Sequence, residues 1–305
     1  MENRLSYQEF QESLLEAVSL ELNKQGTYRC ELTQAQKNNV VLSGLSIRQE
    51  GKTSAPVIYL HDSYQSYLHG KPLQQISKEL VGFYRSHKIP EFDRNDFVDY
   101  GRVKEKLRVR LVNKENNQAY YKRGPYRLHP IGAEILYLEL KRNESGSMCT
   151  QVTNDMAESW KMPKEELFQT ALENTQNSDE VKFQSMNEVM SEIMMGNAEE
   201  DFDSPIFVLS NQDTQYGATV ALYPDVLKQV SRQIGGDYYI LPSSVHELLI
   251  LRKKGCDIAE KELRSWVRDS NQSIISSEEI LGNEVFEYRA DMDRVKKCGK
   301  EDRAR

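Results

Sequence analysis

Four residues with reactive side chains, Ser243, Ser244, His246 and Glu247, fall within five positions of the stretch GGDYYILPSSVHELLIL at 235–251. A hydroxyl beside an imidazole and a carboxylate could supply a nucleophile and acid–base groups. Ser244, His246 and Glu247 are therefore the candidates for hydrolytic chemistry. Two motifs are tested and fail. The nucleophile elbow is G-x-S-x-G, and neither serine has the flanking glycines. The zinc motif H-E-x-x-H needs a second histidine where Ile250 stands. The alternative is structural. Ser244 and Glu247 have capping-box spacing behind Pro242, which predicts one tight helical turn between two strands, with serine hydroxyls satisfying backbone N–H groups. His246 is then a side chain that hydrogen-bonds across that turn.

Tyr120, Tyr121, Lys122 and Arg123 are the binding candidates, because ring faces beside cations can stack and neutralise single-stranded nucleic acid. A formal charge of -7 over 305 residues argues against a phosphate partner, so nucleic acid is disfavoured and a loop-edge or strand-edge role is expected for this segment. Asp93, Asp96 and Asp99 lie three apart, yet the calcium-loop pattern fails, and helix capping and a solvated face explain them. Histidines 61, 69, 87, 129 and 246 have no metal-ligand spacing, and Asp62 or Ser63 is expected to cap a helix after His61. GKT at 51–53 lacks the upstream glycine of a phosphate loop. No metal and no cofactor is implied. The four cysteines, 30, 149, 256 and 298, form no CxxC pair and are expected as free thiols. No apolar run approaches the ~20 residues of a membrane span. MENRLSYQEF has no apolar leader segment, so a cytoplasmic protein is expected.

Periodicity supplies the elements that must hold these residues. Ser6 and Glu9 form a capping box before Phe10, Leu14, Val18 and Leu22, one apolar helical stripe. TYRCEL and VVLSGLSIRQ predict a hairpin around TQAQKNN, and PVIYL a further strand. Leu73, Ile76, Leu80 and Phe83 predict a second amphipathic helix ended by Pro90, and a polar helix is expected over 93–104. LRVRLVN alternates as a half-buried strand, AEILYLEL follows, and 148–152 is expected to pair back across NESGS. Helices are expected near 154–160 and 163–174. From 176 to 204 the chain reads as a mobile connector with one amphipathic helix, whose Met186, Met190 and Met194 are expected as core. IFVLSN, GATVALY, YYIL, ELLILRK and VFEYRA predict strands, interleaved with helices over YPDVLKQVSRQI and 257–269.

The predicted architecture is α+β with two lobes: an N-terminal lobe at 1–175, the connector at 176–204, a C-terminal ββαββαβ lobe with a largely antiparallel sheet at 205–290, and a disordered tail at 291–305. GLSIRQEGKTSAPVIYLHDSYQSYLHG, VTNDMAESWKMPKEELFQTALENT, FVLSNQDTQYGATVALYPDVL and GGDYYILPSSVHELLIL together resemble a family of bacterial proteins of unknown function, often carried on integrative and conjugative elements, over about 44–290. The resemblance implies a cytoplasmic accessory protein and supplies no reaction or catalytic residue. With no complete catalytic motif, the reading leans against an enzyme and toward a protein that binds another protein; a hydrolase using His246 and Glu247 is the first alternative, and a nucleic-acid-binding protein using Tyr120–Arg123 the second.

Overall fold

A computed structural model of the chain describes residues 4–299, apart from 53–54, 87–90, 92–93, 144–145, 194–203 and 243. The fold is α+β, with three antiparallel sheets. The chain divides into two units, Met1–Val98 and Asp99–Arg305. The division falls at Val98 rather than in the 176–204 stretch where the lobes were expected to part. The polar helix expected over 93–104 is two short helices, α4 (Arg94–Val98) and α5 (Tyr100–Val103), because Asp99 leaves the helical conformation and its carboxylate accepts the Gly101 N–H at 2.9 Å. Asp93 lies outside the described residues.

The first unit opens with α1 (Tyr7–Asn23), where both halves of the Ser6–Glu9 capping box form and Phe10, Leu14, Val18 and Leu22 are buried. Strands β1 (Tyr28–Gln36), β2 (Val41–Gln49) and β3 (Val57–Tyr59) make an antiparallel meander. Strand β1 runs on through TQAQ, which was expected in the turn. The tight turn needs only 37–40, with Asn39 at φ 65° and Lys37 N–H donating to Val40 O at 2.9 Å. Helix α2 (His61–Leu68) starts one residue before the expected caps, with Leu60 at the cap position and no side-chain cap bond; Asp62 sits in the first turn instead. In α3 (Leu73–Ser86), Val81 is buried and Phe83 is 52% exposed, so the apolar stripe turns away from Phe83. The side chains of α1, β2 and α3 close one core around Leu45, Ile47, Ile76 and Leu80.

In the second unit, β4 (Leu107–Val112), β5 (Tyr126–Leu128), β6 (Ala133–Asn143) and β7 (Gly146–Gln151) form a sheet centred on β6. Strand β4 is an edge, and an edge strand in a protein interior must find partners for its outward N–H groups. Two threonines supply them. Val109 N–H donates to Thr175 Oγ1 at 3.0 Å and Leu111 N–H to Thr219 Oγ1 at 3.1 Å. Thr175 belongs to α8 (Lys164–Ser178), which follows α7 (Asn154–Trp160); Thr219 belongs to a 3-10 helix at Gly217–Leu222. Helix α6 (Gln118–Arg123) bridges β4 and β5.

The second sheet has six strands in the order β13-β12-β10-β11-β9-β8, all antiparallel: β8 (Val181–Ser185), β9 (Ile206–Asn211), β10 (Tyr238–Leu241), β11 (Leu248–Arg252), β12 (Phe286–Arg289) and β13 (Arg294–Lys297). Helices α9 (Met186–Ile193), α10 (Val226–Ile234) and α11 (Glu260–Ser273) connect them. Four expectations are corrected here. VKFQS, read as helical connector, is strand β8, held by its pairing with β9. Helix α9 buries no residue and Met190 is 39% exposed, so these methionines are not core; Met194 lies outside the described residues. GATVALY, read as a strand, is the 3-10 helix, and Gly217, Ala218, Thr219, Val220 and Ala221 are all buried, so the run carries no alternation to betray its geometry. The tail continues as β13 with Cys298 buried, because Arg294–Lys297 completes the edge of the sheet. The C-terminal part is thus not ββαββαβ, though the sheet is antiparallel as expected. The expected stop after α10 is present: Gly235 at φ 82° takes the left-handed cap, and Gly235 and Gly236 both donate to Ser231 O at 3.0 Å.

Candidate functional site

Ser244, His246 and Glu247 lie in a bend between β10 and β11, not in a helical turn. Ser244 makes an isolated antiparallel bridge with Ile280, and Val245 N–H donates to Glu279 O at 2.7 Å. The predicted capping box does not form. Ser244 Oγ instead accepts the His246 N–H at 3.0 Å, and Ser244 is 5% exposed. His246 is pinned from three sides. Ser210 Oγ donates to its carbonyl at 2.7 Å, Tyr216 N–H donates to Nδ1 at 3.2 Å, and a Glu279 carboxylate oxygen lies 3.7 Å from Nε2. Thr214 O is also 3.1 Å from Nδ1. One nitrogen cannot accept and donate at once. The Tyr216 N–H is a fixed donor, and Nδ1 accepts from it, while Nε2 faces Glu279. The half-buried Glu247 carboxyl has its pKa raised by burial, with His246 opposing. The hydroxyl and one imidazole nitrogen are thus spent on backbone groups, an arrangement that locks two segments together. Ser243 lies outside the described residues.

The locked partner is the turn before the 3-10 helix. Thr214 and Tyr216 both adopt left-handed backbone, at φ 52° and 53°. Gly217 is required by proximity: a Cβ there would stand 2.1 Å from Ser210 Oγ and 2.5 Å from His246 O. This geometry aims the Tyr216 ring at Arg110. The Arg110 guanidinium lies between two rings, 4.0 Å from the Tyr216 centroid and 3.7 Å from that of Tyr137, and its Nη2 is 3.2 Å from Cys149 Sγ. Among the described residues its Nε is buried without a hydrogen-bond partner, while the guanidinium also hydrogen-bonds the Tyr137 side chain. Burial opposes its charge, but Tyr137, Tyr216 and Cys149 more than compensate and hold its pKa above the usual arginine value. Beside it, Arg142 reaches Glu139 at 2.8 Å, Asp213 at 3.1 Å and Asp179 at 3.3 Å. Arg110, Arg142, Asp179, Gln215 and Tyr216 border an enclosed polar cavity of about 10 Å³. Sequence reasoning missed Arg110, since alternation in LRVRLV assigns its arginines to solvent. The available signal was register: Arg108 pairs with Tyr137 across the strands, so Arg110 shares a face with an aromatic.

The other candidate segment, Tyr120–Arg123, is helix α6 rather than a loop or strand edge. Its tyrosines pack inward on Val112, Ala133 and Ile135, while Lys122 and Arg123 are exposed. The four therefore do not share one binding face. Tyr121 stacks on Tyr126 at 4.3 Å and donates its hydroxyl to Lys114 O at 2.9 Å; burial pushes its phenol up to about 12. This stacked pair forms part of an open groove of about 390 Å³ between α6, β5, α7 and α8, continued by Pro125, Ala157, Met162 and Leu167 and edged by Glu158, Lys161 and Lys164. The Lys164 ammonium is 5.4 Å from the Tyr126 ring centre.

Among the described residues, no three His, Cys, Asp or Glu side chains are grouped to hold a metal ion, and no helix is long and apolar enough to cross a membrane. The cysteines are unbridged. Fold and site define an α+β protein whose larger unit joins a closed arginine–tyrosine cluster to an open tyrosine groove. The chain belongs to a family of unknown function, DUF5688, whose model matches residues 7–290 and so takes in α1 and β1, beyond the 44–290 of the resemblance. No curated protein and no solved structure matches the chain.

Proposed function

We propose that the protein is a non-enzymatic binding protein of the bacterial cytoplasm, of the accessory kind carried on mobile elements, and that it captures a segment of another protein in the tyrosine groove. The observation that carries this reading is the groove itself, about 390 Å³ and open. A small-molecule site encloses most of its ligand, which an open groove does not, whereas an extended polypeptide can lie along it. The apolar walls suit an aliphatic or aromatic side chain. Two lysines against one glutamate on the rim, in a protein of net charge -7, favour an acidic residue beside that side chain. The bacterial and mobile-element parts rest on the resemblance alone.

The test is selection from a displayed random-peptide library on the purified chain, run beside Ala157→Trp, which fills the groove from an existing wall position. Wild type is expected to enrich peptides with an apolar residue next to Asp or Glu, and the folded Ala157→Trp protein to lose them. Enrichment that survives Ala157→Trp, or no enrichment on wild type, overturns the reading.

A further inference from the structure

We propose that the outer edge of β1 pairs with the same edge of a second copy of the chain, antiparallel across a two-fold axis at Leu32. The surface lies within the first unit and does not rest on the groove. Pairing with β2 fixes which way each backbone group of β1 points. Glu50 N–H donates to Thr27 O and Lys37 N–H to Val40 O, and both bonds continue the β1–β2 register. Hydrogen-bonded pairs alternate along an antiparallel ladder, so the odd-numbered residues of β1 bond to β2 and the even-numbered ones turn their N–H and C=O groups outward. At Tyr28 these groups are taken by Asn23, whose Oδ1 accepts from the N–H at 2.9 Å and whose Nδ2 donates to the carbonyl at 3.4 Å. Among the described residues, the outward backbone groups of Cys30, Leu32 and Gln34 have no partner.

An open edge is a template for another strand, and proteins protect such edges. The other edges here are protected. Strands β3 and β5 have three residues each, and β4 is covered by Thr175 and Thr219. The β6–β7 ladder is bulged between Glu139 and Lys141, β8 runs straight into α9, and β13 carries Arg294, Lys296 and Lys297. Strand β1 has nine residues in unbroken register, with no lysine and no proline. Over 30–36 its one charged side chain, Glu31, is paired with Arg29. Symmetry selects the occupant. The unpaired positions 30, 32 and 34 are centred on Leu32. A two-fold axis there sets Cys30 opposite Gln34 of the second copy and Leu32 opposite its own counterpart, so every outward donor meets an outward acceptor. Leu32, 37% exposed, closes on that counterpart, on the face where Tyr28 and Cys30 pack against the α1 core. Glu31 then lies opposite Thr33 of the second copy and Arg29 opposite Ala35, so no like charges face each other. The two three-stranded sheets join into one.

The test is sedimentation velocity of the whole protein from ~1 to ~300 μM, a range that brackets the micromolar Kd of a small interface. Wild type is expected to pass from monomer to dimer across it. Leu32→Pro removes an outward N–H and leaves the β1–β2 bonds in place. Leu32→Lys sets two ammonium groups against each other at the axis. Both are expected to stay monomeric throughout, with the circular dichroism of the wild type. A wild type that is monomeric over the whole range, or a dimer that either folded variant keeps unweakened, overturns the proposal. Leu32→Cys supplies a readout that depends on neither variant. The Cα atoms of a hydrogen-bonded antiparallel pair lie about 5.5 Å apart, within disulfide reach. On mild oxidation Leu32→Cys is expected to give a reducible covalent dimer, whereas wild type and Thr33→Cys, which would face Glu31 of the second copy, are not. Equal cross-linking of Leu32→Cys and Thr33→Cys, or none of Leu32→Cys, overturns the pairing centred on Leu32.

Discussion

Arg110 and Lys164 each lie against tyrosine, yet the two neighbourhoods behave oppositely. Arg110 has a ring on each face, at 3.7 and 4.0 Å, and is walled by β4, α8 and the 3-10 helix. Lys164 lies over one ring, 5.4 Å from its centre, on the rim of the groove. The same pairing of cation and phenol ring is a fixed interior joint in one place and an accessible surface in the other. What separates them is the cover, and the cover depends on the buried hydroxyls and one glycine that let three elements approach closely. Substitutions in the closed cluster should therefore cost folding free energy, while those in the groove should cost binding.

The largest effect is expected at Gly217. A Cβ there meets a hydroxyl at 2.1 Å, a carbonyl at 2.5 Å and a backbone nitrogen at 2.7 Å, so Gly217→Ala must push the turn away from the His246 bend. A loss of about 3 kcal/mol is expected from overpacking of this kind, read as a lower urea midpoint. A loss below about 0.5 kcal/mol, the range of ordinary surface changes, would mean that the joint is loose and the comparison with the groove does not hold.

Next comes a pH effect at His129, in the hairpin that joins the groove strand β5 to the core. Burial first, then Lys114 and Arg127, lower its pKa from 6.5 to about 4, and its Nδ1 accepts the Ile131 N–H at 3.3 Å. The sign follows. A lowered folded-state pKa means that the unfolded chain takes up the proton first. The stabilisation is fully present above pH 6.5 and is lost as pH falls toward about 4. The loss is on the order of 3 kcal/mol at most. His129→Asn, which keeps an acceptor and cannot charge, should flatten the stability curve over that window; an unchanged slope would assign the acid sensitivity elsewhere.

Thr219→Val removes the partner of the Leu111 N–H at the covered edge of β4. An orphaned buried donor costs about 1–3 kcal/mol, and Thr175→Val should do the same at Val109. Amide exchange at residues 109 and 111 is the direct measurement: each substitution should speed exchange at its own amide most. Ser244→Ala loses only the hydroxyl that accepts the His246 N–H, and about 1 kcal/mol is expected. Calorimetry on that variant separates the two readings of the PSSVHE segment, since a nucleophile would leave stability unchanged when removed.

Much of the fold was legible because local patterns agreed with the final packing. The Ser6–Glu9 box, the Phe10–Leu22 stripe and the β1–β2 hairpin needed no distant partner to be recognised. The failures share a cause. VKFQS is a strand only because β9 pairs with it, 294–297 only because β12 does, and GATVALY is a 3-10 helix because Gly217 must fit beneath His246. The candidate site divided in the same way. Ser244 and His246 were singled out by residue type, and their hydrogen bonds to backbone groups were half anticipated. Arg110 was passed over because a strand's polar face ordinarily meets water, whereas here α8 and the 3-10 helix cover it.

The smallest effect on stability, and the sharpest for the comparison, is expected at Lys164. Its side chain is on the surface, approaches the Tyr126 ring and, among the described residues, makes no ion pair. Lys164→Ala should change stability by no more than about 0.5 kcal/mol. If an acidic residue of a bound segment meets this rim, the same substitution should weaken binding of a library-selected peptide several-fold and reduce its dependence on salt, because a rim charge acts through screened attraction. Arg110→Met should leave the affinity for that peptide unchanged. A peptide whose affinity follows Arg110 rather than Lys164 would move the binding surface from the open groove to the closed cluster, and the two neighbourhoods would exchange roles.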